Sequence, residues 1–300
     1  MKHITISGSL GSGKSAVSSI LKEKLELEVE SVGSILRKMA QNYGMSTNDF
    51  NKYIENHPEV DYELDEFVRK EGLKITPKIF DSRLAWHFIP QSFKVFLYVK
   101  DDIAAKRVFN DTKRVNEQYE NESDTLFHII ERRKSEVFRY KKQYNLELEN
   151  LYNYDLVIDT SYSLPEEIAN KIISNFINNN KNQIWISPYT LLPTQSIREH
   201  SNNKIEQIGS LFSREEDYMK NLISILLYKN TFYIYDGHKR VLNAIKKNIN
   251  LVPCFLINSN DDYIFRNNQN IENYIMDNFS NEFLLDWNNF VEFLMKKSHD

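Results

Sequence analysis

Gly8-Ser9-Leu10-Gly11-Ser12-Gly13-Lys14-Ser15 decides how the first half of this chain is read. These residues fit G-x-x-x-x-G-K-[ST], the pattern of a phosphate-binding loop, and directly follow the short apolar run His3 to Ser7. Glycines let the backbone turn and aim successive N–H groups at phosphate oxygens, and a helix that starts in the loop adds its positive N-terminal end. Val17, Ile20, Leu21 and Leu25 recur at helical spacing, so strand, loop and amphipathic helix come in the required order. In that setting Gly8, Gly11, Ser12 and Gly13 cradle phosphates, Lys14 reaches the outer ones, and the Ser15 hydroxyl holds Mg2+.

Beyond the loop helix, Leu27 to Ser31 predicts a second strand that delivers Arg37 early on a new helix. Its planar fork suits a second phosphate group, and a surface arginine fits the same spacing. Residues 46–72 read as two charged helices opened by a Ser46-Thr47-Asn48-Asp49 cap, an insertion that covers a substrate. Asp61 within it fits a solvated helix charge or a ligand. Lys78 to Arg83 reads as a strand ending in Asp81, placed to hold the Mg2+ shell through water, with Arg83 beside it for a phosphate. Phe93 to Val99 is a buried strand by its β-branched and aromatic content.

Arg107, Lys113, Arg114, Arg132, Arg133, Lys134 and Arg139 bracket a polar segment, Asn116 to Asp124. Such a charge run is ordinarily a solvated face. Beside a phosphate loop it also suits a lid that closes cations over a transferring group and excludes water. Tyr154 to Thr160 reads as a last strand and turn, and Pro165 with Glu166 and Glu167 opens a helix.

Composition narrows the classes. Three hundred residues with 41% hydrophobic content suit two domains. The net charge of −4 is spread evenly, unlike the basic body of a duplex-DNA binder. One cysteine, Cys254, excludes an internal disulfide framework and suits a reducing compartment. No apolar run approaches the ~18 residues that span a bilayer, and Met1 runs straight into the first strand. A cytoplasmic protein without a signal peptide or a membrane partner is therefore expected, and the oligomeric state is left open.

Taken together, ITISG-x-x-GSGKS, SVGSILRKMA, -ENHPEVDYELD-, -DSRLAW-, -ERRKSEVFRYKKQYNLEL- and -YDLVIDTS- resemble the cytidylate kinase family, most closely its compact archaeal-type branch, over residues 1–178. The resemblance implies a three-layer α/β fold with a parallel sheet and a lid. It also implies ATP and Mg2+ as cofactors and transfer of the γ-phosphate to CMP or dCMP. By position, Gly8, Gly11, Ser12, Gly13, Lys14 and Ser15 would bind donor phosphates and metal, with Asp81 at the metal. Ser31, Arg37, Asp61 and Arg83 would line the monophosphate site. Arg107, Arg114, Arg132 and Arg139 would be lid and transition-state cations, and Thr160 and Ser161 would lie near the donor base. The chain departs from the family's pattern at Asp81, where a longer acid is expected, and in the irregular segment Asn110 to Asp124.

Asn178-Asn179-Asn180-Lys181-Asn182 breaks the chain, giving domains at 1–180 and 184–300. In the second, Thr231 to Asp236 predicts a strand, Gly237 a tight turn, and His238-Lys239-Arg240 the basic opening of a helix, followed by a strand from Ile249 to Ile257. Asp236, Gly237, His238, Lys239 and Arg240 are thereby a candidate second nucleotide site, and a turn with solvated cations fits the same residues. The stretch about 184–258 resembles the ParB/sulfiredoxin superfamily, which includes free-serine kinases, and implies a smaller α+β domain. It lacks the cysteine of sulfiredoxin chemistry at this turn, and Thr194-Gln195 stands where free-serine kinases carry an acid. Phe283, Leu284, Trp287, Phe290, Val291 and Leu294 mark a C-terminal helix. The functional expectation is ATP-dependent phosphorylation of a nucleoside monophosphate, with a kinase of another small metabolite, free serine included, or a nucleotide sensor as alternatives.

Overall fold

The computed structural model describes residues 2–111, 119–196, 212, 215–257 and 269–297. The chain divides into two compact units, Met1–Asn182 and Gln183–Asp300. In the first, β1 (Ile4–Gly8) and β4 (Phe93–Tyr98) lie at the centre of a sheet with β2 (Glu28–Ser31), β3 (Lys78–Asp81) and β5 (Leu156–Asp159). All four pairings are parallel, in the order β2-β3-β1-β4-β5. Every residue of β1, β3 and β5 is buried, the near-continuous apolar signature of a parallel sheet covered on both faces.

The helices are α1 (Lys14–Leu25), α2 (Val32–Asn42), α3 (Thr47–Glu55), α4 (Pro58–Gly72), α5 (Ala85–Phe88), α6 (Asp101–Phe109), α7 (Glu122–Tyr144) and α8 (Pro165–Ile177). Helix α1 packs on α8, and α6 on α7. Local chemistry sets several starts. Ser46 Oγ accepts the Asp49 N–H at 3.1 Å to cap α3, and Pro165 stands in the first turn of α8. Strand β1 is flanked by β3 on one side and β4 on the other, and the chain fills β2 and β3 on the first side before it crosses to β4 and β5 on the second. The residues after β1 therefore sit in the crevice where an open parallel sheet binds its ligand.

In the second unit, β6 (Gln183–Ile186) runs antiparallel to β9 (Val252–Leu256), which runs parallel to β7 (Ile223–Tyr228). Strand β8 (Thr231–Asp236) returns antiparallel to β7 through Lys229 and Asn230, at φ 47° and 58°. Two consecutive left-handed residues match the twist of a tight hairpin. Helices α9 (Glu215–Met219), α10 (His238–Lys246), α11 (Ile271–Asn278) and α12 (Asn281–Lys297) complete the unit. Strands β6 and β7 and helices α5, α9 and α11 are additions to the sequence reading. Among the described residues no helix is long and apolar enough to cross a membrane.

Candidate active site

The phosphate loop joins β1 to α1. Gly11 and Gly13 have φ of 79° and 80°, a region L side chains rarely enter. A Cβ on Gly11 would come within 2.8 Å of the Ala104 carbonyl on α6, whereas one on Gly13 would meet nothing within 4 Å. The first glycine lets the loop lie against α6, and the second leaves the head of α1 open to a ligand. Lys14 Nζ donates to the Gly8 and Ser9 carbonyls at 2.8 and 3.0 Å, folding its ammonium back across the loop. Burial, followed by the Arg83 charge, lowers its pKa to about 7. Ser15 Oγ donates to Asp81 Oδ2 at 3.2 Å, which brings the two expected metal ligands together. Among the described residues no cluster of three or more His, Cys, Asp or Glu is placed to hold a metal. A hydroxyl and a carboxylate match Mg2+, which keeps most of its waters.

Behind the loop a carboxylate absent from the sequence reading gathers the arginines. Glu136 on α7 is buried and pairs with Arg83, Nε to Oε2 at 2.7 Å and Nη2 to Oε1 at 3.2 Å. Arg132 Nε donates to the same Oε1 at 3.0 Å. Burial raises the Glu136 pKa, but Arg83 and Arg132 outweigh it and hold the group near 2. Arg83 Nη1 also donates to the Gly8 carbonyl, tying the end of β3 to the loop. Ser7 Oγ reinforces the junction by donating to the Ser82 and Arg83 carbonyls, both at 3.0 Å. The neighbouring Arg133 points elsewhere, making a two-pronged pair with Asp101 on α6.

Across the cavity, Ser31 Oγ caps α2 at Ser34 N, 3.4 Å, and Arg37 Nη2 donates to Ser34 Oγ at 3.1 Å. Helix α4 contributes Asp61 and Asp65. Asp61 Oδ2 lies 3.8 Å from the buried Arg139 Nε, which has no hydrogen-bond partner among the described residues. Burial raises the Asp61 carboxyl, with Arg139 pulling the other way. Arg107 on α6 connects the donor side. Its Nη1 donates to the Gly11 carbonyl at 3.3 Å, and Nη2 to the Thr160 and Ser161 carbonyls at 2.6 and 3.1 Å.

One cavity of about 280 Å³ is lined by Gly11, Gly13, Lys14 and Ser15 of the loop together with Ser31, Arg37, Asp61, Asp81, Arg83, Arg107, Arg132 and Arg139. Gly8, Ser12, Thr160 and Ser161 stand behind that lining. Arg114 and residues 112–118 of the expected lid lie outside the described residues. The arrangement is fit to hold two phosphate groups, one against a helix N-terminus and the other among arginines. Glu136 was legible only as an acid four residues after Arg132 and three before Arg139. That spacing puts all three on one helical face.

At the second unit's turn, two residues depart from the phosphate-facing reading. His238 is buried, its Nε2 accepts the Thr194 N–H at 3.0 Å, and its ring meets Trp287 edge-on. An imidazole nitrogen that accepts carries no proton, so this ring is neutral and belongs to the core. Arg240 pairs with Asp236 and donates to the Asn221 and Leu222 carbonyls at 2.6 and 2.8 Å. It braces the turn against the start of β7. Gly237 caps α10 at φ 109°, and Lys239 makes no ion pair among the described residues.

A family model described as an AAA domain matches residues 4–128. The chain is similar to the cytidylate kinase of Methanosarcina barkeri, 35% identical over 161 residues that cover 53% of this chain and 87% of that protein. The cytidylate kinase of Methanocaldococcus jannaschii is 36% identical over 183 residues, 59% of this chain and 98% of that one. An S-adenosylmethionine-dependent nucleotide dehydratase of Lacinutrix mariniflava is 36% identical over 181 residues, 59% of this chain, which spans only 36% of that relative's length. Among solved structures, shikimate kinase from Acinetobacter baumannii is 17% identical with a TM-score of 0.41, covering 60% of this chain and 94% of that one.

Proposed function

The chain belongs, through its first unit, to the cytidylate kinase family, and on that premise we propose that it transfers the γ-phosphoryl group of ATP, with Mg2+, to a nucleoside monophosphate, CMP or dCMP before others. The observation that carries this reading is the shared cavity of about 280 Å³, whose lining brings Lys14 and the head of α1 together with Arg83, Arg132 and Arg139. The residues fit the cofactors. The missing side chain at Gly13 leaves room for a phosphate, and Ser15 and Asp81 are hard oxygen donors 3.2 Å apart. Ser15 and Asp81 would hold Mg2+, which would supply charge to offset that of the donor's phosphates.

The protein's own part is positioning and charge. The loop N–H groups and Lys14 hold the donor, while Arg37, Arg83 and Arg139 fix the acceptor phosphate. Arg132 stands beside Glu136, ready to meet charge that builds on the transferring group. No side chain has to act as a strong base, since an acceptor phosphate oxygen is already nucleophilic. Arg107 ties the loop to the Thr160-Ser161 turn, so the donor's phosphates and base are held as one body.

The test is the purified chain with ATP, Mg2+ and CMP, dCMP, UMP, AMP or GMP in turn, with product diphosphates separated by chromatography. CDP or dCDP as the leading product is expected. A diphosphate from none of the five overturns the reading. For the second unit, the ParB/sulfiredoxin resemblance together with Gly237 at the head of α10 supports a nucleotide-phosphate site that uses Lys239 and backbone N–H groups.

A further inference from the structure

The long helix α7 has two unlike faces. The inner one buries Thr125, Ile129, Glu136, Arg139 and Tyr140 and brings Arg132 and Arg139 to the cavity. The outer one leaves two large apolar side chains in water, Phe127 at 59% exposure and Phe138 at 63%. Eleven residues turn a helix to within about 20° of three full turns, so the two rings stand on one line about 16 Å apart. An exposed phenylalanine by itself needs no partner. What marks this line is its order. Glu131 and Lys134 stand between the rings and Asp124 and Lys141 beyond them, so that 124, 127, 131, 134, 138 and 141 follow in steps of three and four, the spacing of a coiled-coil seam.

The line is also its own complement. Turned end for end about the point between Arg132 and Arg133, it sets Phe127 on Phe138, Glu131 on Lys134 and Asp124 on Lys141. Laid side by side in parallel, every residue would meet itself, Glu131 on Glu131 and Lys134 on Lys134. Within one chain these charges hold only exposed partners. Lys134 Nζ lies 2.9 Å from Glu131 Oε1, and Lys141 Nζ 3.0 Å from Glu147 Oε1. Such pairs contribute little and exchange readily for pairs across a contact, whereas like charges held opposite one another repel.

From this pattern we propose that the outer face of α7 is the contact surface of a homodimer, in which two copies of the chain lay their α7 helices together antiparallel about a twofold axis, each Phe127 on Phe138 of the other copy. A twofold contact must be complementary to itself, and this stripe is, in its apolar and its charged positions alike. Residues 124 to 141 span about 25 Å of helix. One helix pair of that length falls short of the ~800 Å² a side of a standard interface, so the dimer is of the dissociating kind, with a Kd in the micromolar range. The inner face takes no part, and each copy keeps its own cavity.

The experiment follows the full chain by analytical ultracentrifugation from about 1 to 300 µM, where wild type is expected to pass from monomer to dimer. Glu131→Lys makes the centre of the stripe wholly cationic and Lys134→Glu makes it wholly anionic, so each variant alone should associate at least about tenfold more weakly. Mixed in equal amounts, the two should form a dimer with a Kd within about threefold of wild type, since cation then faces anion at both positions. Loss of the Glu131–Lys134 pair within each helix predicts no such rescue. Phe138→Ala, also on the exposed face, should weaken wild-type association about tenfold with an unchanged circular dichroism spectrum. A wild type that stays monomeric throughout overturns the proposal and leaves the stripe to a different occupant. A dimer that both charge reversals leave intact, or reversals whose mixture stays monomeric, overturns it as well.

Discussion

Arg83 and Glu136, fifty-three residues apart in sequence, meet side-on with Nε 2.7 Å from Oε2, and the arginine continues to the Gly8 carbonyl. The pair joins the end of β3, the long helix α7 and the phosphate loop. Removing one partner of a buried pair leaves the other charge unsatisfied, at about 3–5 kcal/mol. Glu136→Gln is therefore expected to lower stability by about 3 kcal/mol at pH 7, read by urea titration followed by circular dichroism. The folded pKa of about 2 lies below the unfolded 4.5, so this stabilisation is full above about pH 4.5 and is lost as pH falls toward 2. The gap between variant and wild type should narrow over that window.

Lys14→Ala is expected to abolish phosphoryl transfer, a loss of 100-fold or more, while the circular dichroism spectrum and melting temperature stay near wild type. The side chain rests on two loop carbonyls and fills no core space. Near-normal turnover would remove the loop from the chemistry.

The same lysine predicts proton uptake on nucleotide binding. With a pKa of about 7 in the free protein, its amine is largely neutral at pH 8, and triphosphate oxygens favour the charged form. Calorimetry at pH 8 in two buffers of different ionisation enthalpy should show close to one proton taken up per ATP bound, and little uptake at pH 6.

Arg107→Lys should raise the KM for ATP about tenfold and leave the KM for the acceptor near wild type. One ammonium cannot serve Gly11 on one side and both Thr160 and Ser161 on the other. Initial-rate kinetics with each substrate varied in turn would show the split.

In the second unit, Arg240→Ala is expected to destabilise by about 1–2 kcal/mol, since it frees two carbonyls and Asp236. Lys239→Ala should leave stability unchanged and weaken any binding of CTP, ATP or ADP, read by calorimetry on the full chain with Lys14→Ala to silence the first site. Equal nucleotide binding in Lys239→Ala and its parent would take the turn out of contention.

What the sequence revealed and concealed follows from the reach of each interaction. The phosphate loop, the Ser46 cap and Pro165 in the first turn of α8 act within a few residues, so their chemistry shows in the order of letters. Glu136 looked like any acid on a charged helix, and only the fold brings β3 and Arg83 to it. Asp65 and Tyr144, seventy-nine residues apart, carry no joint mark in the sequence. His238 and Arg240 misled for the complementary reason. A helix opening with cations is a phosphate site only when those side chains face outward, and here Thr194 and the carbonyls before β7 claim them. Strand β7 escaped notice because its hairpin turns on Lys229 and Asn230 instead of a glycine.

The placing of β1 also sets a timetable for synthesis. Ile4 pairs with Ile79 on one side and Phe93 on the other, and the sheet closes only when Leu156 joins Val95. At about 5–20 residues per second, the first strand off the ribosome waits roughly 4–15 s for its first neighbour and about twice as long for the sheet to be complete. Through that interval a strand whose every residue is buried in the finished fold stands with its glycine loop and no partners, so the nascent chain, more than the finished protein, is where a chaperone would be needed.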